Sequence, residues 1–298
     1  MRCFHPILVR EWQGDEGDKR KTNSYHQVPC GHCVACLGQR RNSWTYRLSK
    51  ERFGASYSFF LTLTYDNEHI PVKIIDDKPY FVFCKKDVQN YLKRVRFIIN
   101  KMNPNINLRY YCVSEYGAKT HRPHYHMQLF VQNDNSLQYM KSIIITLEKE
   151  WSFGFFSRRP TDDANIHYVT KYCIKGLDQL PEDCIDPVFI LASKRPYLGE
   201  CFESTLEKQP SDKPQVYFNG LAMPMPRIYR QKIGINGSCG ADSDDPRLSA
   251  TSYQQLLTEF RRTHSRFSVQ EFTVFCNNRL NRFESDAIRR QQTRNEKL

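Results

Sequence analysis

Residues 123–131, PHYHMQLFV, constrain this chain more than any other segment. Tyr125, Met127, Leu129 and Val131 alternate with His124, His126, Gln128 and Phe130, the period-two pattern of a strand that sends successive side chains to opposite faces. The apolar register has to pack against helices. His124 and His126 are then expected side by side on the other face, where two imidazoles can reach one ion.

The flanking segments supply the rest of a layered fold. Residues 57–65, YSFFLTLTY, are aromatic and β-branched and end in the turn pair Asp66-Asn67, so they predict a second strand. Residues 108–115 predict a third, joined to 123–131 through a turn around Gly117. Helices are expected over 87–102, with Val88, Leu92, Val95 and Ile99 on one face, and over 137–151. SRRPTDDA, residues 157–164, reads as a loop, followed by a helix over 165–175 with Gly176 as its C-cap. Residues 44–52 read as a basic helix, with Leu37, Trp44 and Leu48 on its apolar side and Arg40, Arg47 and Lys50 on the other. The order strand, helix, strand, strand, helix is that of a split βαβ layer. The expected fold class is α+β: an RRM-like antiparallel sheet with helices packed on one face, an N-terminal Cys-rich segment and a C-terminal extension. The domain reading is a Cys-rich basic segment over 1–50, a core over 51–180 and loops and helices without an assigned role over 181–298. Residues 203–213 and 234–247 read as linkers, and the tail from 279 as a solvated helix or frayed end.

Composition narrows the function. With 298 residues and 40% hydrophobic content the chain can bury a core, which excludes a disordered chain and a disulfide miniprotein. Its longest apolar runs, 143–145 and 188–192, fall far short of the ~20 residues that span a bilayer. The N-terminal apolar run is too short for a signal segment, so the chain is expected to stay where it is made. Lys and Arg number 44 against 32 Asp and Glu, a net charge of +12. Nucleic acid is the first choice of partner, a membrane surface the second.

Three groups of residues carry chemistry. Glu115 ends the strand next to His124, so one carboxylate can join the two imidazoles. Such a set leaves positions open for water or a phosphate oxygen; the alternative is two histidines on an exposed sheet face. His121 lies in the turn and is the weaker choice of ligand. In the second group, Tyr168 and Tyr172 are i,i+4 neighbours on a helix, each followed three residues later by a lysine, Lys171 and Lys175. A phenol is a poor nucleophile, so attack on phosphorus needs a nearby cation. A phosphotyrosine would conserve the energy of the broken diester, and two tyrosines would permit two successive transfers. The competing reading is an aromatic pair that packs the helix on the sheet. Thr62 and Thr64 share a strand face, which either a site lining or strand propensity explains.

Third, Cys30, Cys33 and Cys36 form C-x-x-C-x-x-C, with Cys3 as the preferred fourth ligand of a structural zinc site. Unligated thiols are the alternative, and an iron–sulfur reading is weaker because Arg40 stands where a further cysteine is needed. A zinc knuckle there could set the basic helix, with Arg40, Arg41 and Arg47, against DNA.

FLTLTYDNEH (60–69), SEYG with RPHYHMQLF (114–130) and YVTKYCIK (168–175), in that order, resemble the three motifs of the HUH superfamily of single-strand DNA endonucleases. The two tyrosines resemble those of rolling-circle initiators. The likeness is closer still to replication initiators of gokushovirus-type microviruses, through MRCFHP, VPCGHCVACLGQRRNSW, FILASKRPYLG and MPRIYRQ, and it extends to about residue 231. The resemblance implies an HUH core with His124 and His126 as metal ligands, Glu115 as the third, and Tyr168 and Tyr172 as nucleophiles assisted by Lys171 and Lys175. It implies nicking of the replicative form of a single-stranded DNA phage, a 5′-phosphotyrosine intermediate and rejoining of the displaced circle. The metal would be Mg²⁺ or Mn²⁺, with the imidazoles tilting the choice towards Mn²⁺. Arg40, Arg41, Arg47 and Arg122 are the expected DNA contacts, a host helicase and polymerase the expected partners, and the host bacterial cytoplasm the expected compartment. A plasmid initiator or transposase of the same superfamily would share this chemistry. A non-catalytic, zinc-dependent DNA-binding regulator would need the charge and the cysteines but not the tyrosines.

Overall fold

The computed structural model describes residues 3, 7–10, 25–134, 137–173, 184–200, 215–218, 221–232, 259–263, 271, 274, 275, 278, 285 and 289. Its elements run β1 (Ile7–Arg10), β2 (Tyr25–Val28), α1 (Val34–Gly54), β3 (Tyr57–Tyr65), β4 (Val72–Ile75), β5 (Lys78–Phe81), α2 (Lys85–Met102), β6 (Asn107–Tyr116), β7 (Pro123–Gln132), α3 (Met140–Lys149), β8 (Gly154–Pro160), α4 (Asp163–Thr170), β9 (Ile190–Ala192), β10 (Gln215–Phe218), β11 (Leu221–Pro224) and α5 (Arg227–Lys232). Contacts divide the chain into two compact units, residues 41–233 and residues 1–40 with 234–298.

The first unit is built on a five-stranded sheet of order β8-β3-β7-β6-β9, with each adjacent pair antiparallel. Its apolar registers behave as the alternation requires. Leu61 and Leu63 of β3 and Tyr125, Met127, Leu129 and Val131 of β7 join Val88, Leu92, Val95 and Ile99 of α2 and Ile143 and Leu147 of α3 in one core. Polar anchors fix that layer: the Tyr65 hydroxyl donates to Asp87 at 2.8 Å, and Trp151 Nε1 donates to the Thr64 carbonyl at 3.3 Å.

One element departs from the sequence reading. Residues 157–164 are not all loop, because Gly154–Pro160 form the edge strand β8, paired with β3 from Tyr65↔Gly154 to Phe59↔Pro160. An edge strand needs only a short buried register, and Phe156 alone supplies a partly buried apolar side chain to the core, so Ser157-Arg158-Arg159 masks the pattern. Gly154 starts the strand at φ +143°, and a Cβ there would fall 2.3 Å from the Asp66 nitrogen. With β8 in place the unit is a complete β-α-β-β-α-β layer.

The opposite face of the sheet is covered as well. Leu48 of α1 and Ile166 and Val169 of α4 pack on Phe60, Tyr111, Val113 and Phe130 in a second core. Glu51 of α1, fully buried, pairs with Arg109 of β6 at 3.0 Å and accepts bonds from Gln132 and the Gly199 nitrogen at 2.7 and 2.6 Å. This buried pair ties α1 to the sheet and to the segment after β9. The second unit contains the β1–β2 hairpin, paired from Ile7↔Val28 to Arg10↔Tyr25, and the N-terminal cysteines.

Helix ends shift by a few residues, as caps dictate. α4 begins at Asp163 because Asp162 and Asn165 form a reciprocal capping box, and it tightens into a 3₁₀ turn over Lys171–Cys173. Lys175, the Gly176 cap, the linkers at 203–213 and 234–247 and most of the tail lie outside the described residues. Among the described residues no helix is long and apolar enough to cross a membrane.

Candidate active site

Strand register assembles the site. Glu115 of β6 stands opposite His124 of β7, and Thr62 of β3 opposite His126. Cross-strand partners share a face, so all four side chains project to the side that α1 and α4 cover. Glu115 and His126 are less than a tenth exposed.

Each imidazole is oriented through its Nδ1. His124 Nδ1 lies 3.1 Å from the Arg122 carbonyl oxygen, which can only accept, so Nδ1 carries the proton and Nε2 keeps its lone pair. His126 Nδ1 lies 3.1 Å from Thr62 Oγ1, and its ring stacks on Phe60 at 5.3 Å with planes 11° apart. Both Nε2 atoms then converge on Glu115 Oε2, 3.0 Å from His126 and 3.5 Å from His124. Burial holds the His126 pKa below the ordinary histidine value, which keeps the ring neutral and able to ligate near neutral pH. Two oriented imidazoles and one carboxylate are a donor set that fits a divalent cation and leaves further positions open.

The tyrosines arrive on the same carboxylate. Gln128 of β7, fully buried, donates to Asn165 at 3.2 Å and accepts from Thr161 at 2.9 Å, so the capped start of α4 is docked on β7. One turn later the Tyr168 hydroxyl donates to Glu115 Oε2 at 2.8 Å and lies 3.4 Å from His126 Nε2. Tyr172, 3% exposed, donates to the Tyr168 hydroxyl at 3.1 Å. Lys171 Nζ sits 3.8 Å over the Tyr168 ring and 5.3 Å from that of Tyr172. Burial and the Glu115 charge push the Tyr168 phenol up to about 12, and Tyr172 shifts in the same direction for the same reasons. Without a cation, both phenols stay protonated.

The structure thus brings Glu115, His124, His126, Tyr168, Tyr172 and Lys171 together. The four arginines expected at DNA diverge. Arg40 is exposed and Arg41 half-buried. Arg47 donates to the Leu198 carbonyl at 3.1 Å and stacks 4.1 Å over Trp44. Arg122 donates to the Tyr65 carbonyl at 2.9 Å and to Asn67, so its guanidinium braces the end of β3 while its carbonyl orients His124. Sequence reading missed Phe60, although it shares the period-two register of Thr62. It also missed β8, whose register puts exposed Phe155 opposite Thr64 and exposed Arg159 opposite Phe60, on the histidine-bearing face. Gln128 has no local signal at all, because its partners lie 33 and 37 residues away.

Comparison with known proteins agrees with this architecture. Residues 58–177 match the family described as replication-associated protein ORF2/gene 2 protein. The chain is 27% identical over 203 residues to replication-associated protein ORF2 of Spiroplasma virus 4, covering 59% of this chain and 62% of that relative. It is 27% identical over 176 residues to replication-associated protein ORF4 of Chlamydia phage 1, covering 51% and 41%. To replication-associated protein VP4 of Bdellovibrio phage phiMH2K it is 26% identical over 215 residues, covering 68% and 66%. The matched stretches therefore span less than two thirds of each relative. No solved structure matches the chain. The matched segment holds the whole Glu115–His124–His126–Tyr168–Tyr172 cluster, and by it the chain belongs to this replication-associated protein family of microvirus replication proteins.

Proposed function

We propose that this protein initiates rolling-circle replication of a single-stranded DNA phage, nicking its origin and rejoining the displaced strand through tyrosine-linked intermediates. One observation carries the reading: the Tyr168 hydroxyl donates to the same Glu115 oxygen on which both histidine Nε2 atoms converge. A core-packing tyrosine pair would have no need of three ligand-type side chains at its hydroxyl.

Glu115, His124 and His126 would hold Mg²⁺ or Mn²⁺, which when bound supplies a Lewis acid that polarises the scissile phosphate and favours the phenolate. Tyr168 attacks phosphorus, forming the phosphotyrosine bond as the bond to the 3′ oxygen breaks. That oxygen takes up a proton and leaves as a 3′ hydroxyl, the primer for a host polymerase. Bond energy is conserved, so the reverse transfer needs no nucleotide cofactor. Tyr172, 3.1 Å from the Tyr168 oxygen, can reach the same phosphorus for the second transfer. Lys171, over both rings, stabilises negative charge on either phenol. For substrate binding, exposed Phe155 offers a stacking surface and Arg159 a phosphate contact beside the site. The net charge of +12 suits the same polyanion.

The test incubates the protein with end-labelled single-stranded origin DNA and Mn²⁺ and looks for a protein–DNA band that survives SDS and boiling. Wild type yields it; His124→Ala and the double variant Tyr168→Phe/Tyr172→Phe do not. A folded, metal-loaded wild type without the band on the phage's own origin sinks the nuclease reading.

A further inference from the structure

The smaller unit holds a second donor set that the nicking chemistry does not use. The ligand atoms of Cys3, Cys30, Cys33 and Cys36 all lie within 4.8 Å of one another. Cys33 Sγ is 3.9 Å from Cys3 Sγ, and Cys30 Sγ is 4.0 Å from Cys36 Sγ. A disulfide would require ~2.05 Å. A tetrahedron of thiolates around zinc, with bonds of about 2.3 Å, has edges of about 3.8 Å. The sulfurs thus stand at the separation of ligands around one ion.

The backbone is arranged for the same end. The amides of Cys33 and His32 donate to Cys30 Sγ at 3.3 and 3.5 Å, and the Cys30 amide donates to Cys3 Sγ at 3.2 Å. Amides turned towards sulfur orient it and offset thiolate charge. The turn that aims them passes through Gly31 at φ +79°, a conformation that favours glycine. Cys36 follows in the first turn of α1, where the Leu37 amide already closes a helical bond to the Cys33 carbonyl at 3.0 Å.

Packing shows what a metal would replace. The buried cluster around these sulfurs contains Cys33, Ala35 and Cys36, with Cys3 and Cys30 partly buried against it, and no leucine, isoleucine, valine or phenylalanine among the described residues. Four thiols stand where a core should be. Their places in the chain also matter: Cys3 precedes β1, Cys30 follows β2, and Cys33 and Cys36 lead into α1. One ion would clamp both ends of the hairpin to the start of the helix.

We propose that Cys3, Cys30, Cys33 and Cys36 bind one structural zinc ion as four thiolates. Binding releases the thiol protons to solvent and involves no change of oxidation state. All four positions are filled by sulfur, so none is open for water and the site is not catalytic. Soft thiolates select against the Mg²⁺ or Mn²⁺ that the oxygen- and nitrogen-bearing triad would take. An iron–sulfur cluster would interpose its own atoms and hold the sulfurs farther apart. This inference does not depend on the nicking activity.

The experiment uses the full chain. Elemental analysis after gel filtration is expected to find one zinc per chain. Cys33→Ser should lose it, while His124→Ala/His126→Ala should keep it. Replacing zinc with cobalt should give the intense visible bands and the thiolate charge-transfer absorption of a tetrahedral four-sulfur site. Should Cys33→Ser fail to fold, wild type alone decides: titration with a mercurial should release one zinc as four otherwise protected thiols react. Stoichiometric iron, a weak octahedral cobalt spectrum, or zinc retained in folded Cys33→Ser would each overturn the proposal.

Discussion

The two donor sets of this protein are built in opposite ways. Glu115, His124 and His126 stand on neighbouring strands of a sheet packed on both faces, so large apolar cores hold them in register whether or not an ion is bound. Cys3, Cys30, Cys33 and Cys36 sit at the ends of a hairpin and the start of a helix, with little but one another to pack against. The first set contributes three ligands and stops; the second contributes four of the softest kind. A site that must admit a phosphate is preorganised by its scaffold, whereas a site that must stabilise structure is completed by its ion.

That contrast can be broken in several places, the largest effect first. Tyr168→Phe should reduce the boil-resistant adduct to background, whereas Tyr172→Phe should keep the first cleavage and lose rejoining; the reverse result would make the buried tyrosine the first nucleophile. Glu115→Gln should slow cleavage on the order of a hundredfold or more without altering zinc content or the melting transition greatly, and a collapse of the fold would show that the triad is structural after all. Thr62→Val removes the hydrogen bond at His126 Nδ1 and should weaken Mn²⁺ binding by ~10–100-fold, measured by titrating cleavage rate against metal. Gly31→Ala places a Cβ in open space but at φ +79°, which should cost about 1 kcal/mol locally and weaken only the protection of the four thiols against a mercurial.

The smallest effect is a pH dependence. In the metal-free protein the Tyr168 phenol ionises at about 12, above its ordinary value of 10. Between those values the unfolded chain releases a proton that the folded chain keeps, so folding stability falls as pH rises through that window. Chemical denaturation at pH 9 and at pH 11 should show a smaller alkaline loss in Tyr168→Phe than in wild type. Divalent metal should lower the phenol's ionisation, which absorbance at the phenolate band reports; no response to metal would separate Tyr168 from the triad.

Much of this was legible in local pattern. Residues 57–65 read as a strand and form β3 with the same limits, because nine residues of aromatic and β-branched character leave no other choice. The helical face of Val88, Leu92, Val95 and Ile99 is buried as its spacing demands. The i,i+4 pair Tyr168 and Tyr172 stays in ring contact at 5.7 Å even though the α-helix between them tightens. By contrast β8 was hidden, since an exposed edge strand with two arginines has the composition of a loop.

The sequence by itself determined which side chains are available and which share a face: alternation sets His124 beside His126, and C-x-x-C-x-x-C brings three thiols within reach of one another. Both are short-range facts, settled by the geometry of a strand or a turn. Only the tertiary structure decided what those groups meet. Strand pairing set Glu115 opposite His124, and the docking of Asn165 on Gln128 brought Tyr168 to the same carboxylate across 53 residues of chain. It also turned Arg47 and Arg122 from expected DNA contacts into internal braces. Such pairings depend on how cores close, and no local window of sequence encodes them, because the partners are neighbours in space and strangers in the chain.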